Sequence, residues 1–297
     1  MRDKGRHARC LTFASRVKIK QMKRHFPATF LSILSLIVLG VALITQPVSA
    51  AKTPKSPSTV GNDISYPQCG QTLPSGQAFG IVGVTGGKAT TANPCLASQL
   101  KWAAASTGTV AAQPKTQLYV NTANPGEVID QVSTWPASGD TPYGPCDGTN
   151  SRACSWQYGY NRAAEQEKMF QDAAAIAGVS AETGAYTWWL DVETMNTWQS
   201  GSDAALERNR AALEGMTDYF ASKGAAVGIY STNYQWGVIA GAIPADSHLY
   251  ALNSWMAGAR TQRAAKANCQ NVPLNPGGQV VLSQYVSAGL DYDISCI

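Results

Sequence analysis

Histidine is nearly missing from this 297-residue chain: beyond the first fifty residues only His248 remains, which excludes zinc sites built on several histidines. There is no Gly-x-Ser-x-Gly elbow, and one histidine with no serine partner argues against a Ser-His-Asp hydrolase. No Cys-x-x-Cys spacing occurs, so the cysteines do not read as a metal cluster. The segment Gly83–Thr90 (GVTGGKAT) imitates a phosphate loop. Val82 and Ala89, however, stand where that loop needs glycine and a hydroxyl residue, so it reads as a strand-ending turn. Basic excess is missing too. Of the 23 basic and 19 acidic side chains, nine and one lie in residues 1–50, leaving 14 against 18 and a net of −4. A nucleic-acid partner is thereby disfavoured, because phosphate binding needs clustered cations.

What is present begins with a leader. A basic segment precedes the fifteen-residue apolar run Phe30–Ile44, too short to span a bilayer comfortably, and Val48-Ser49-Ala50 follows with small residues. This pattern predicts a secretory signal peptide over residues 1–50 cleaved after Ala50, with membrane contact only during export. Met22 opens a second short basic start and is a candidate for the true first residue. Cys10 falls in the leader, leaving an even six: Cys69, Cys95, Cys146, Cys154, Cys269 and Cys296. An even number suits an oxidising compartment, and although six cysteines allow fifteen pairings, joining nearest neighbours closes three local loops. Residues 51–60, polar with two prolines, read as a linker.

The remaining stretch, 61–297, shows no internal repeat and approaches the ~250 residues typical of a (β/α) barrel. Short apolar runs predict strands at 62–66, 79–85, 117–121, 187–193, 226–231, 248–253 and 280–286, with a final one around Leu290–Asp293. Their near-continuous hydrophobicity suits a parallel sheet covered on both faces. Helices are expected over about 203–222, with Ser202 as cap and Gly224 beyond the end, and over about 162–177, stopped by Gly178. The expected fold is therefore α/β: a single TIM-like barrel domain behind a signal peptide.

By elimination, the chemistry falls to carboxylates. In Thr187–Glu193 (TWWLDVE), side chains alternate, so Trp189, Asp191 and Glu193 share a face. Two acids about 6–7 Å apart at the end of an apolar strand oppose each other's ionisation, and one then keeps its proton near neutral pH, as a general acid must. In a barrel, strand C-termini gather at the mouth where active sites lie. Asp63 on the first strand, and Asp291 and Asp293 on the last, join them there if the barrel closes. Trp189 and Tyr230 are candidate platforms for a sugar ring.

Three short motifs together resemble glycoside hydrolase family 25, the secreted lysozymes that cleave peptidoglycan. They are Asp63-Ile64-Ser65-Tyr66-Pro67-Gln68, Asp191-Val192-Glu193, and Ser283-Gln284-Tyr285 followed by Gly289-Leu290-Asp291-Tyr292-Asp293. The resemblance implies Glu193 as general acid, Asp191 as its electrostatic partner, and Asp63 with Asp291 flanking the sugar. Tyr285 and Asp293 become further substrate contacts, and either Asp291 or Asp293 answers to the family's last acid. It also implies a retaining mechanism, with a carboxylate or the substrate's acetamide as nucleophile, no cofactor or metal, and a monomer acting on cell-wall glycan. The chain departs from the family where members carry an aromatic-His-Phe element, here Leu118–Gly126, and in the insertion around Cys146 and Cys154. Two other functions are compatible with the same residues: a non-catalytic carbohydrate-binding barrel, and a hydrolase using Asp63, Asp191 and Asp291 as metal ligands.

Overall fold

The computed structural model describes Lys55 and residues 59–297. The leader, the Met22 start and most of the linker lie outside the described residues. Val60, assigned to the linker from its polar surroundings, is buried against Ala259, Tyr285 and Ile294 and belongs to the folded domain.

Among the described residues, eight strands close into a barrel. It opens with β1 (Gly61–Ile64) and β2 (Gly80–Gly83), joined by a loop with a single 3-10 turn. Helix α1 (Leu96–Ala104) then leads to β3 (Thr116–Asn121). A long excursion follows, carrying a small hairpin of β4 (Gly139–Thr141) and β5 (Gly144–Cys146), before α2 (Arg152–Ala177). Next come β6 (Thr187–Asp191), α3 (Asp203–Ser222), β7 (Ala226–Ser231), α4 (Asn233–Ile239), β8 (Asn253–Ala259), α5 (Gln262–Asn268), β9 (Val280–Ser287) and β10 (Leu290–Ser295). Around the barrel the order is β1-β10-β9-β8-β7-β6-β3-β2, parallel except at β10, which runs antiparallel to both β9 and β1. The reversal follows from chain length. Only Ala288 and Gly289 separate β9 from β10, both at positive φ (52° and 76°), and a parallel return needs a dozen residues or more.

Alternation along the strands sorts side chains into two cores. Outward residues Ile64, Val82, Leu118, Trp188, Leu190, Ile229 and Met256 pack under the helices; inward residues Ile81, Trp189, Trp255 and Leu282 fill the barrel. Two predicted elements shift. Residues 248–252 of the run predicted at 248–253 form turns and loop rather than a strand, because Leu249 anchors them to the outer core and their N–H groups bond locally, as from Tyr250 to Ser247 O. The strand follows them, at β8. Helix α2 begins ten residues before the expected Arg162, at Arg152, where the Ser151 hydroxyl caps Cys154 N. Helix α3 has the expected span, capped by the Ser202 hydroxyl on Ala205 N. Where α2 crosses α3, Gly159 and Gly215 let the backbones meet: a Cβ at Gly159 would lie 1.8 Å from the Ala212 carbonyl oxygen. Disulfides join Cys69 to Cys95, Cys146 to Cys154 and Cys269 to Cys296. The second ties the β4–β5 hairpin to the start of α2; the third holds the C-terminus against α5. No helix among the described residues is long and apolar enough to cross a membrane.

Candidate active site at the barrel mouth

The C-terminal ends of the parallel strands surround a cavity of about 350 Å3. Asp63, Asp191, Glu193 and Asp291 all line it. Strand register brings them there: Asp63 on β1 pairs with Asp291 on β10, while Asp191 on β6 pairs with Asn121 on one side and Tyr230 on the other. In the closed ring, β10 stands four strands from β6 in either direction, so the first pair of acids faces the second across the mouth.

Each acid is held differently. Asp191 is buried, and one carboxyl oxygen accepts from Asn121 Nδ2, whose own Oδ1 accepts from Thr85 Oγ1 at 2.8 Å. The other oxygen, Oδ1, is buried without a hydrogen-bond partner. Burial first, then the charge of Glu193, pushes the Asp191 pKa well above the carboxylate range; the Asn121 bond opposes this. Glu193 is half-buried one pleat higher, and burial raises it while a hydrogen bond from Gln235 pulls the other way. The Gln235 Oε1 also accepts from Thr194 N at 2.6 Å, and Trp198 Nε1 donates to the Glu193 carbonyl at 2.9 Å, fixing the loop that carries the acid.

Asp63 accepts from Gln284 Nε2 at 3.0 Å, and Gln284 Oε1 in turn accepts from the Tyr230 hydroxyl at 2.9 Å. Burial and then Asp291 raise its pKa. Asp291, half-buried, is raised by burial to about 6. Four carboxyls with upward-shifted pKa values in one cleft make a site able to hold and release protons near neutral pH.

The remaining candidates separate. Tyr230 lines the cavity. Trp189 shares the face of Asp191 but lies deeper, buried in the barrel with its Nε1 donating to Gln117 Oε1 at 2.8 Å, so it is not a cleft platform. Alternation fixed its face, and its height put it on the floor. Tyr285 points outward and stacks on Tyr292 at 5.1 Å, because its neighbour Gln284 takes the inward position. Asp293 points inward yet sits beneath the cavity, fully buried, accepting from Trp255 Nε1 at 2.9 Å. Asp293 shares a hydrogen bond with Asp63, and burial first, then the charges of Asp63 and Asp291, pushes its pKa well above the carboxylate range. It supports Asp63 and does not contact the cavity.

Sequence reasoning missed Tyr66, Tyr119, Asn121, Trp255 and Gln284, all of which line the cavity. Tyr66 and Gln284 were within the quoted motifs, but placing Tyr285 in the cleft put its neighbour Gln284 on the opposite face. The aromatic ring of Tyr119 fits only because residue 83 is glycine: a Cβ there would lie 2.6 Å from its Cζ. His248 lies away from the mouth, its Nδ1 in hydrogen-bond contact with Asp218 Oδ1 at 2.5 Å. No group of three or more His, Cys, Asp or Glu among the described residues is arranged to hold a metal ion.

No protein-family model and no curated protein matches this chain. Among solved structures it is similar to a muramidase from Trichobolus zukalii, at 17% sequence identity over 80% of this chain and 93% of that one, with a TM-score of 0.40. An overlap this loose assigns no role to any residue.

Proposed function

We propose that the protein is a secreted glycoside hydrolase that cleaves peptidoglycan-type glycan at an N-acetylated amino sugar, with Glu193 as general acid. The observation that carries this reading is the convergence of Asp63, Asp191, Glu193 and Asp291 on one cavity at the mouth of the barrel. The motif resemblance supports it, and the disulfides suit an exported protein.

Glu193, the more exposed member of the central pair, gives its proton to the glycosidic oxygen as the bond to the anomeric carbon breaks. The buried Asp191 Oδ1, which has no partner of its own, accepts from the substrate's acetamide N–H and turns the acetamide oxygen toward the anomeric carbon. That oxygen closes on the carbon as the leaving group departs. Water deprotonated by the now anionic Glu193 then opens the ring, with retention overall. Asp63 and Asp291, opposite, stabilise the positive charge that develops on the sugar.

Purified residues 51–297 incubated with cell-wall glycan should release new reducing ends, and Glu193→Gln should abolish release while glycan binding survives. Equal release by parent and variant would remove Glu193 as the acid; no release from either with binding intact would replace the enzyme with a carbohydrate-binding barrel.

A further inference from the structure

Beside the carboxylate cavity lies a larger chamber of about 520 Å3 to which no step above assigns a use. Gly87 and Met195 line both spaces, so one groove runs from the acids over this saddle into the chamber. Its far wall comes from the β3–α2 excursion, residues Gln131 to Thr134, backed by Tyr158 of α2. That wall is prearranged. Tyr158 is buried and hydrogen-bonded to Thr134, Trp135 stacks on its ring at 5.7 Å, and the Cys146–Cys154 bridge closes the same excursion onto α2.

The two halves of the groove differ in charge. Four acids line the cavity; the chamber is lined by neutral residues, apolar ones such as Val132 and Met195 and hydrogen-bonding ones such as Thr90, Gln131 and Asn196, with Lys88 its only charged residue. Lys88 makes no ion pair among the described residues. A carboxylate in the cavity would be a fifth acid among four that already oppose one another's ionisation, whereas the same group across the saddle meets a cation without a competitor. The volume is that of a site for a ligand of disaccharide size, and hydroxyl and amide walls suit sugar.

Resting on the glycan-cleaving reading, we propose that the chamber is a second recognition site, holding a saccharide unit that bears a carboxylate, adjacent to the unit being cleaved, with Lys88 as the group that reads the charge. This site makes the enzyme selective for acid-bearing amino-sugar polymer over neutral polymer, although the protein's own net charge is negative beyond the leader.

The test uses binding, so that it does not depend on turnover. Residues 51–297 are titrated with N-acetylmuramic acid, glucuronate and neutral N-acetylglucosamine by NMR, for the parent, Lys88→Glu and Ser133→Trp; both substitutions are at exposed positions, and the tryptophan fills the chamber. The parent should bind at least one of the acids more tightly than the neutral sugar, and each variant should lose that preference, by about tenfold in Kd. Glucuronate binding as well as the muramic acid assigns recognition to any sugar carboxylate, and its failure assigns it to the lactyl arm. An absence of preference in the parent, or parental binding in either variant, overturns the proposal. Loss of Glu193-dependent cleavage with Lys88-dependent binding intact would remove the enzyme reading and leave the chamber standing; the reverse pattern would remove only the chamber.

Discussion

The two ends of the barrel interior are built from the same strands, yet treat polar groups in opposite ways. At the floor, Trp189 Nε1 donates to Gln117, Gln117 Nε2 donates to Gln113 at 3.1 Å, and Gln113 Nε2 reaches Ser295 Oγ at 3.0 Å and the Val281 carbonyl at 3.2 Å. Every member is neutral and satisfied, as a network that serves stability should be. At the mouth, one turn of pleat away, four carboxyls crowd together with raised pKa values, and Asp191 Oδ1 is buried without a partner. Such an arrangement costs stability wherever the acids ionise, and folding alone supplies no reason for it. A ligand that donates to Asp191 and takes a proton from Glu193 does.

If that contrast is right, the largest effect belongs to the mouth and to activity: Glu193→Gln should lower kcat by roughly a hundred- to ten-thousand-fold, the range for a lost general acid, with an unchanged or higher Tm. Steady-state kinetics and calorimetry on the same preparations check both halves. The floor should give the mirror image. Trp189→Ala should cost about 3–5 kcal/mol in denaturant unfolding, the usual range for emptying a buried aromatic site. A comparably large stability loss from a mouth acid would break the comparison.

The third expectation concerns pH. Asp291 has a folded-state pKa of about 6, above its ordinary 3.8, so the stability tied to its protonated form is fully present below 3.8 and is lost as pH rises through about 6. Asp291→Asn, which mimics the protonated form, should therefore raise Tm at pH 7.5, with the gain fading to nothing near pH 4. A pH-independent shift would contradict the assignment. The smallest effect is expected at Gln235. Its hydrogen bond holds the Glu193 pKa down, so Gln235→Ala should move the alkaline limb of kcat/KM to higher pH, and a shift to lower pH would overturn the role given to it.

Much of this fold was legible because local signals agreed with each other. Ser202, the apolar face through Leu213, Met216 and Phe220, and Gly224 delimit α3 from sequence alone. The run TWWLDVE gives both the strand and the shared face of Asp191 and Glu193. Height along the barrel axis was not legible. It depends on the stagger between neighbouring strands, which is why Trp189 and Asp293 were placed in the cleft when register sinks them below it. The turns at 248–251 deceived for another reason: Leu249 is buried against the outer core, and burial by itself does not distinguish a strand from a packed turn. The chamber beyond Met195 was invisible, since its wall comes from an irregular excursion whose path is set by a disulfide and by Tyr158.

The central claim is that the acids of β1, β6 and β10 act on one sugar. A crystal structure of Glu193→Gln with an N-acetylated cell-wall oligosaccharide tests it most directly. The account predicts the scissile oxygen beside residue 193, the acetamide N–H on Asp191 Oδ1, and Asp63 with Asp291 across the same ring; an oligosaccharide seated away from these groups, or held with its acetamide turned from Asp191, would contradict it.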